Sequence, residues 1–450
     1  MAKKYDLAVI GSGTAAQVAS HRIESAGWKV AVIDYRPFGG TCALRGCDPK
    51  KTLIMGAHVI DDIRRMTGRG VVAPEARVVW PDLMAFKRTF TDPVPENQEK
   101  RYRDKGIDSY HGSARFVAPN ALQVGGDSLE SRYILIATGA YPMPLSFPGV
   151  EHLINSEEFM ELNDLPNRIV VVGGGYIASE FSHIAARAGA RVTVLQRACR
   201  VLPQFDGDLV EWLMQSFQRA GIDVRTKHSV NAIEKNGRSF VVRAETADGE
   251  EAFEADIVVH AAGRIADLAH LNLEAGNVQC DECGHLLLND FLQSASNPAV
   301  YAAGDAAAKG PPLTPVSSHD AKVVVSNLLD GNRHRPDYRG VPSVVFTIPA
   351  IARVGLSEGE ARSKGFKLRI KSELAADWYT ARRVAESVYG FKTIVDEETD
   401  EIIGAHLVGP NVEEVINIFA LAIRHRLTAG ALKATIFAYP TGASDIGSML

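Results

Sequence analysis

Short apolar runs and amphipathic stretches alternate through the first two-thirds of the chain. Asp6-Leu-Ala-Val-Ile10 reads as a buried strand. It leads into a turn, Gly11-Ser-Gly13-Thr14-Ala-Ala16, a helical stretch to about Ala26, and a strand Lys29 to Ile33 ending at Asp34. The plan returns at Arg168-Ile-Val-Val-Val172. There the turn is Gly173-Gly-Gly175-Tyr176-Ile177-Ala178, a helical stretch runs to about Ala188, and a strand runs from Arg191 to Leu195. Two β–turn–α–β units predict α/β layering with two Rossmann-like dinucleotide-binding domains. Beyond Val341 the pattern changes: an apolar strand at Ser343 to Thr347, a helix from about Val412 to His425, and a Pro/Gly-rich tail. That predicts a C-terminal α+β domain.

Punctuation sets the expected boundaries. Pro142, Pro144 and Pro148 precede the second unit, and Gly263 and Asn297-Pro298 follow it. We expect a discontinuous first domain over 1–145 and 265–337, a second over 146–264, and a third over 338–450. Three domains suit 450 residues. Composition changes this picture little. With 46% hydrophobic and 23% charged residues the chain is ordinary and globular, and a net charge of −5 leaves no footprint for nucleic acid. No apolar stretch approaches the ~18 residues of a membrane span, and no signal peptide is visible, so a cytoplasmic location is expected.

The glycines have physical work to do. Gly11 permits the tight turn, Gly13 lets backbone approach a pyrophosphate, and Ala16 keeps helix close to strand. Thr14 opens the helix, whose free N–H groups face the phosphates. Asp34 lies 21 residues after Gly13, at a strand end, where it can accept from ribose hydroxyls. The second turn repeats this logic, but its strand ends in Gln196-Arg197, with Arg200 close by. An acid there would repel a 2′-phosphate; glutamine with guanidinium groups favours NADPH over NADH.

Five cysteines are no structural framework for this length: Cys42, Cys47, Cys199, Cys280 and Cys283. Cys42 and Cys47 stand in Gly39-Gly40-Thr41-Cys42-Ala-Leu-Arg-Gly46-Cys47-Asp48-Pro49-Lys50-Lys51, directly after the first unit. A C-x4-C spacing at a helix start lets two sulfurs meet across one turn. Zinc would need two more ligands, which the neighbouring sequence lacks, so no metal site is expected. Cys280-Asp-Glu-Cys283 has no partner C-x2-C, and we read it as a surface hairpin. Cys199 reads as a bland thiol.

The G-G-T-C-x4-C-x-P-x-K run after that fingerprint resembles the flavoprotein disulfide reductases, the family of glutathione reductase, dihydrolipoamide dehydrogenase and mercuric reductase. The likeness runs the whole length. Ala137-Thr138-Gly139 and Ala261-Ala-Gly263-Arg264 resemble the family's crossover segments, and Tyr301-Ala-Ala-Gly304-Asp305 its second flavin motif. Leu313-Thr314-Pro315-Val316 resembles the helix start at the flavin edge, and Val345-Phe346-Thr347-x-Pro349 the opening of its dimerisation domain. The resemblance implies FAD in the first domain, a nicotinamide dinucleotide in the second, and a homodimer whose active site is shared across the interface. Electrons would run from nicotinamide to FAD, to the Cys42–Cys47 disulfide, then to a small-molecule disulfide or another acceptor. Cys47 would be the flavin-proximal sulfur and Cys42 the interchange thiol. Lys51 would lie near the flavin, paired with Glu180, and Tyr176 would cover the nicotinamide pocket. Gly40, Thr41, Ala114, Thr138, Gly139, Asp305 and Thr314 would line the flavin site, and Gly173, Gly175, Ile177 and Gly263 the nicotinamide site.

The tail departs from the family pattern. Tyr439-Pro440-Thr441-Gly-Ala-Ser444-Asp445 carries tyrosine where glutathione and lipoamide reductases have an acid–base histidine. Phenols carry protons poorly at neutral pH but donate hydrogen bonds well. Mercuric reductases share the tyrosine and also use a terminal cysteine pair; this sequence closes on Gly447-Ser-Met-Leu450. His21 and Lys322 stand roughly where glutathione reductases have arginines. His319, three residues before Lys322, is a candidate replacement acid, with a surface or core-edge histidine the plainer reading; Trp378 and Tyr379 are candidate mouth residues, with aromatic packing the plainer reading. Disulfide reduction is therefore expected, with metal-ion or quinone reduction as an alternative and a slow redox-sensing flavoprotein as a third.

Overall fold

The computed structural model describes residues 2–450 and divides the chain into two compact units. The first comprises 1–50, 86–143 and 264–338, and the second 51–85, 144–263 and 339–450.

In the first unit, strand Lys3–Ile10 sits between Val30–Asp34 and Asp127–Ile136, both parallel to it. Asp108–His111 extends one side and Val300–Ala302 joins Asp127–Ile136 on the other, again in parallel. All of Val30–Asp34 is buried, as a strand covered on both faces requires. An antiparallel pair, Ala114–Ala118 with Ala121–Val124, completes this seven-stranded sheet. Helix Thr14–Ser25 buries Ala15, Ala16, Ala19, Ser20 and Ile23, a stripe at helical spacing.

The second unit contains a five-stranded parallel sheet in the order Asp223–Thr226, Arg191–Gln196, Arg168–Val172, Ile257–His260, Leu153–Ile154. A three-stranded antiparallel sheet covers 229–255. An antiparallel five-stranded sheet runs Ser343–Val345, Ala350–Gly355, Ile402–Gly409, Gly390–Asp396, Leu368–Leu374. Helix Val412–Arg424 buries Val412, Val415, Ile416, Phe419, Ala420, Ala422 and Ile423 within this last part's core. Among the described residues no helix is long and apolar enough to cross a membrane.

The two glycine turns share one device. A Cβ on Gly11 would lie 2.2 Å from the Ala137 carbonyl oxygen, and one on Gly173 would lie 2.2 Å from that of Ala261. Both have positive φ, 109° and 116°. Each turn is thus pressed against the crossover segment of its own sheet, where only glycine fits.

Helix Tyr176–Arg187 is buried on almost every side, polar residues included. The His183 Nδ1 accepts the Ile348 N–H at 2.9 Å and faces an Arg187 N–H at 3.2 Å. Arg187 also reaches Asp61 at 2.7 Å and the Ile348 carbonyl at 3.2 Å. Burial first, then the Arg187 charge, holds the imidazole well below its ordinary pKa, so it is neutral with its proton on Nε2. An unfolded histidine takes up a proton near 6.5 while this one does not. Its contribution is therefore complete above that pH and is lost on acidification, at up to about 1.4 kcal/mol per pH unit. Urea unfolding between pH 7.5 and 5 should show stability falling below pH 6.5, with a flatter slope in His183→Gln.

Candidate active site

The first unit gathers the thiols. Cys42 lies in a short helix, Gly40–Arg45, and Cys47 opens the long helix Cys47–Met66. The expected single helix start is broken at Gly46, which departs from helical geometry and packs against Thr41. The sulfurs are brought together by a kink between two helices. The structure shows the pair in its reduced, dithiol form, and Cys199, Cys280 and Cys283 are free as well. The Thr314 hydroxyl stands between the pair, 3.2 Å from Cys42 Sγ and 3.5 Å from Cys47 Sγ. Thr314 and Pro315 open helix Thr314–Asp330, so the N–H groups of a 17-residue helix start beside the thiols. The Cys47 sulfur and then burial push the Cys42 thiol's pKa up, while Thr314 pulls it back. The dithiol therefore holds its last proton tightly. Cys47 is the more exposed of the two.

The same unit forms a cradle for a phosphate-bearing group. Gly13 and Gly40 meet backbone to backbone: a Cβ on Gly40 would lie 2.2 Å from Gly13 Cα. Asp34 accepts from the Ser12 N–H at 2.9 Å and the Ser12 hydroxyl at 2.6 Å, tying the turn to the acid. Its other oxygen accepts the Arg36 N–H at 2.9 Å. The Thr138 hydroxyl is buried without a hydrogen-bond partner among the described residues. Gly139 is at positive φ, and its carbonyl accepts the Asp267 N–H. Burial raises the Asp305 carboxyl's pKa, with Arg264 lowering it. Ala114 is buried at the start of its strand. A backbone cradle, an orphan hydroxyl and a buried acid fit a bound FAD.

The second unit supplies a partly buried ion pair. Lys51 Nζ meets both Glu180 oxygens at 3.0 and 2.9 Å, and the Glu180 side chain is 2% exposed. Glu180 also accepts the Phe346 N–H at 2.9 Å, and the Phe346 ring lies 3.8 Å from the ammonium. Phe346 is a partner that periodicity could not find. Four residues before Glu180, the Tyr176 hydroxyl bonds Ser343 Oγ at 2.8 Å, with its ring near Phe205. Gly175 and Ile177 flank Tyr176 at this helix start. Gln196 is buried and donates to the Arg200 carbonyl at 3.2 Å. The Arg197 side chain is exposed, and Arg200 donates to the Pro203 carbonyl at 2.9 Å.

The tail of this unit presents Tyr439 at 77% exposure, its ring stacked with that of Tyr379, itself 57% exposed, at 6.4 Å. The loop is anchored from behind by the Tyr389 hydroxyl on Asp445 at 2.7 Å and by a capping box at Thr441. Trp378 instead packs on Tyr389 and Phe391. His319 Nε2, in the first unit, accepts the Asp337 N–H at 3.0 Å. Cys280 and Cys283 flank a hairpin turn closed by Asp281, which accepts the Cys283 and His285 N–H groups. Cys199 is exposed.

Comparison with known proteins agrees with these parts. Residues 5–321 match the pyridine nucleotide-disulphide oxidoreductase family, and residues 341–450 match that family's dimerisation domain. Mercuric reductase from Staphylococcus aureus is 32% identical over 449 residues, covering 98% of this chain and 81% of that one. Glutathione reductase from Burkholderia cepacia is 32% identical over 441 residues, covering 98% and 97%. Dihydrolipoyl dehydrogenase from Chlamydia pneumoniae is 30% identical over 453 residues, covering 98% and 95%. Among solved structures, the Cu(II) complex of the HOCl-induced flavoprotein disulfide reductase RclA from Escherichia coli is similar with a TM-score of 0.89 and 27% identity, covering 99% of both chains. These matches cover nearly the whole chain, and the chain is an FAD-dependent oxidoreductase of the pyridine nucleotide-disulphide oxidoreductase family.

Proposed function

We propose that the enzyme takes electrons from NADPH and delivers them, through Cys47 and Cys42, to a small-molecule disulfide. The observation that carries this reading is the Cys42–Thr314–Cys47 cluster at a helix N-terminus. Bound FAD supplies the two-electron relay between nicotinamide and sulfur. Cys47 offers its exposed sulfur to the flavin side, and Cys42 attacks the substrate disulfide. One substrate thiol leaves, and a mixed disulfide to Cys42 remains; Cys47 then attacks Cys42, releasing the second thiol and re-forming the Cys42–Cys47 bond. Lys51 follows Cys47 by one turn of a single helix, a rise of about 6 Å. With Glu180 it would hold charge steady beside the flavin. Opening of the nicotinamide pocket would break the Tyr176–Ser343 bond.

Tyr439 would reach a second copy's Cys42 and hydrogen-bond the departing thiolate, making the homodimer the working unit. The three-domain division at 145/146, 264/265 and 337/338 belongs to the same proposal. A soft metal ion at the same two thiols is a second reading, favoured by the exposed Tyr439 and by the likeness to mercuric reductase. Turnover of NADPH against a panel of disulfides, Hg(II), Cu(II) and quinones separates the readings. Rapid turnover with a disulfide supports ours, and turnover with metal ions or quinones alone refutes it.

The nucleotide choice is testable by itself. Arg197 and Arg200 would pair with the 2′-phosphate, and charge-assisted bonds of about 1.5–3 kcal/mol each are tenfold or more in binding. Arg197→Ala with Arg200→Ala should raise KM for NADPH at least about tenfold and leave that for NADH unchanged. Equal effects on both nucleotides would contradict the assignment.

A further inference from the structure

Asp320 is a carboxylate 0% exposed, on the helix that begins at Thr314. One oxygen accepts the Gly304 N–H at 3.1 Å, at the turn that carries Asp305. The other accepts the Tyr338 hydroxyl at 2.8 Å. The Tyr338 ring packs on Gly310, between that turn and the helix, and meets the His319 ring edge-on at 5.9 Å. His319 closes the brace through the Asp337 N–H at 3.0 Å. Burying a carboxylate is costly, and a neutral acceptor could satisfy either donor alone. Only an acceptor with two free oxygens satisfies both and locks the turn between the helix and the segment at 337–338.

We propose that Asp320 is a positioning residue: held by Tyr338, it fixes the Gly304-Asp305 turn so that Asp305 meets the ribityl chain of FAD. The inference rests on the flavin assignment and adds to it a device that no motif marks. Burial pushes the Asp320 pKa up to about 6; Tyr338 and Gly304 act against this, and the Asp305 charge adds to it. Arg264 acts in turn on Asp305. Protonation turns one accepting oxygen into a hydroxyl and removes the charge that strengthens both bonds, which loosens the brace. Flavin binding that requires the carboxylate is therefore full above pH 6 and weakens as pH falls through it.

The test is titration of deflavinated protein with FAD, followed by flavin fluorescence from pH 8 to 5. Wild type should lose about tenfold in affinity between pH 7.5 and 5, one pH unit of linkage being tenfold. Asp320→Asn should bind about tenfold more weakly at pH 7.5 and show a flat profile. Tyr338→Phe, which keeps the ring on Gly310, should fall between them, and it decides the matter if the first variant does not fold. A flat wild-type profile, or affinity unchanged in both variants, overturns the inference and leaves the flavin assignment standing. Protein that binds no FAD at any pH overturns the flavin assignment itself.

Discussion

Cys42→Ser is expected to lose disulfide-dependent NADPH oxidation by at least about a thousandfold, because the attacking atom is gone and serine is no nucleophile at neutral pH. The same variant should still bind FAD and still pass electrons to quinones or dyes that react at the flavin directly. Serine conserves the volume at a half-buried position whose neighbours are Thr314 and Asp48, so the fold should be unaffected. Cys47→Ser should be equally inactive with disulfides, for the other reason: the substrate remains trapped as a mixed disulfide on Cys42. Mass spectrometry distinguishes the two, with an adduct on Cys47→Ser and none on Cys42→Ser. Undiminished disulfide turnover in either variant would remove the thiols from the electron path.

Gly40→Val should abolish flavin binding. Gly40 has φ of 74°, and its Cβ would stand 2.2 Å from Gly13 Cα and 3.0 Å from Gly13 N. Positive φ alone costs about 1–2 kcal/mol for a side-chain-bearing residue. The contact is with backbone, which no rotamer relieves, so the Gly11–Ala16 turn and the Gly40–Arg45 helix must separate. The cradle opens, and FAD affinity should fall more than about a hundredfold, yielding colourless protein on purification. Yellow protein with a normal flavin content would show that the Gly13–Gly40 contact does not form the cradle.

Much of this was legible in the sequence because it is local. Both glycine turns sit between a strand and a helix of fixed period, so Thr14–Ser25 and Tyr176–Arg187 fall where the apolar spacing expects them. The C-terminal helix Val412–Arg424 does likewise. The thiol pair was legible through its spacing, although the kink at Gly46 was not: nothing in C-x4-C distinguishes one helix from two. Contacts made across long separations were silent. Gly40 meets Gly13, Phe346 caps Lys51, Ser343 holds Tyr176, and Tyr338 braces Asp320, and each partner follows from sheet order and chain crossings rather than from neighbouring residues. His319 shows the converse. Its place three residues before Lys322 suggested an acid, while its Nε2 is engaged with the Asp337 backbone.

The first of these predictions assumes a sulfur pair that takes up the electron pair delivered by the nicotinamide, and the second assumes the flavin that relays it. Anaerobic titration of the yellow protein with NADPH tests this most directly, with thiols counted by alkylation before and after. The account predicts that Cys42 and Cys47 resist alkylation at first, that two equivalents of thiol appear with the first equivalent of NADPH, and that a long-wavelength absorbance grows as a thiolate comes to lie against oxidised flavin. Bleaching of the flavin by that first equivalent, with both cysteines alkylatable from the outset, would contradict it.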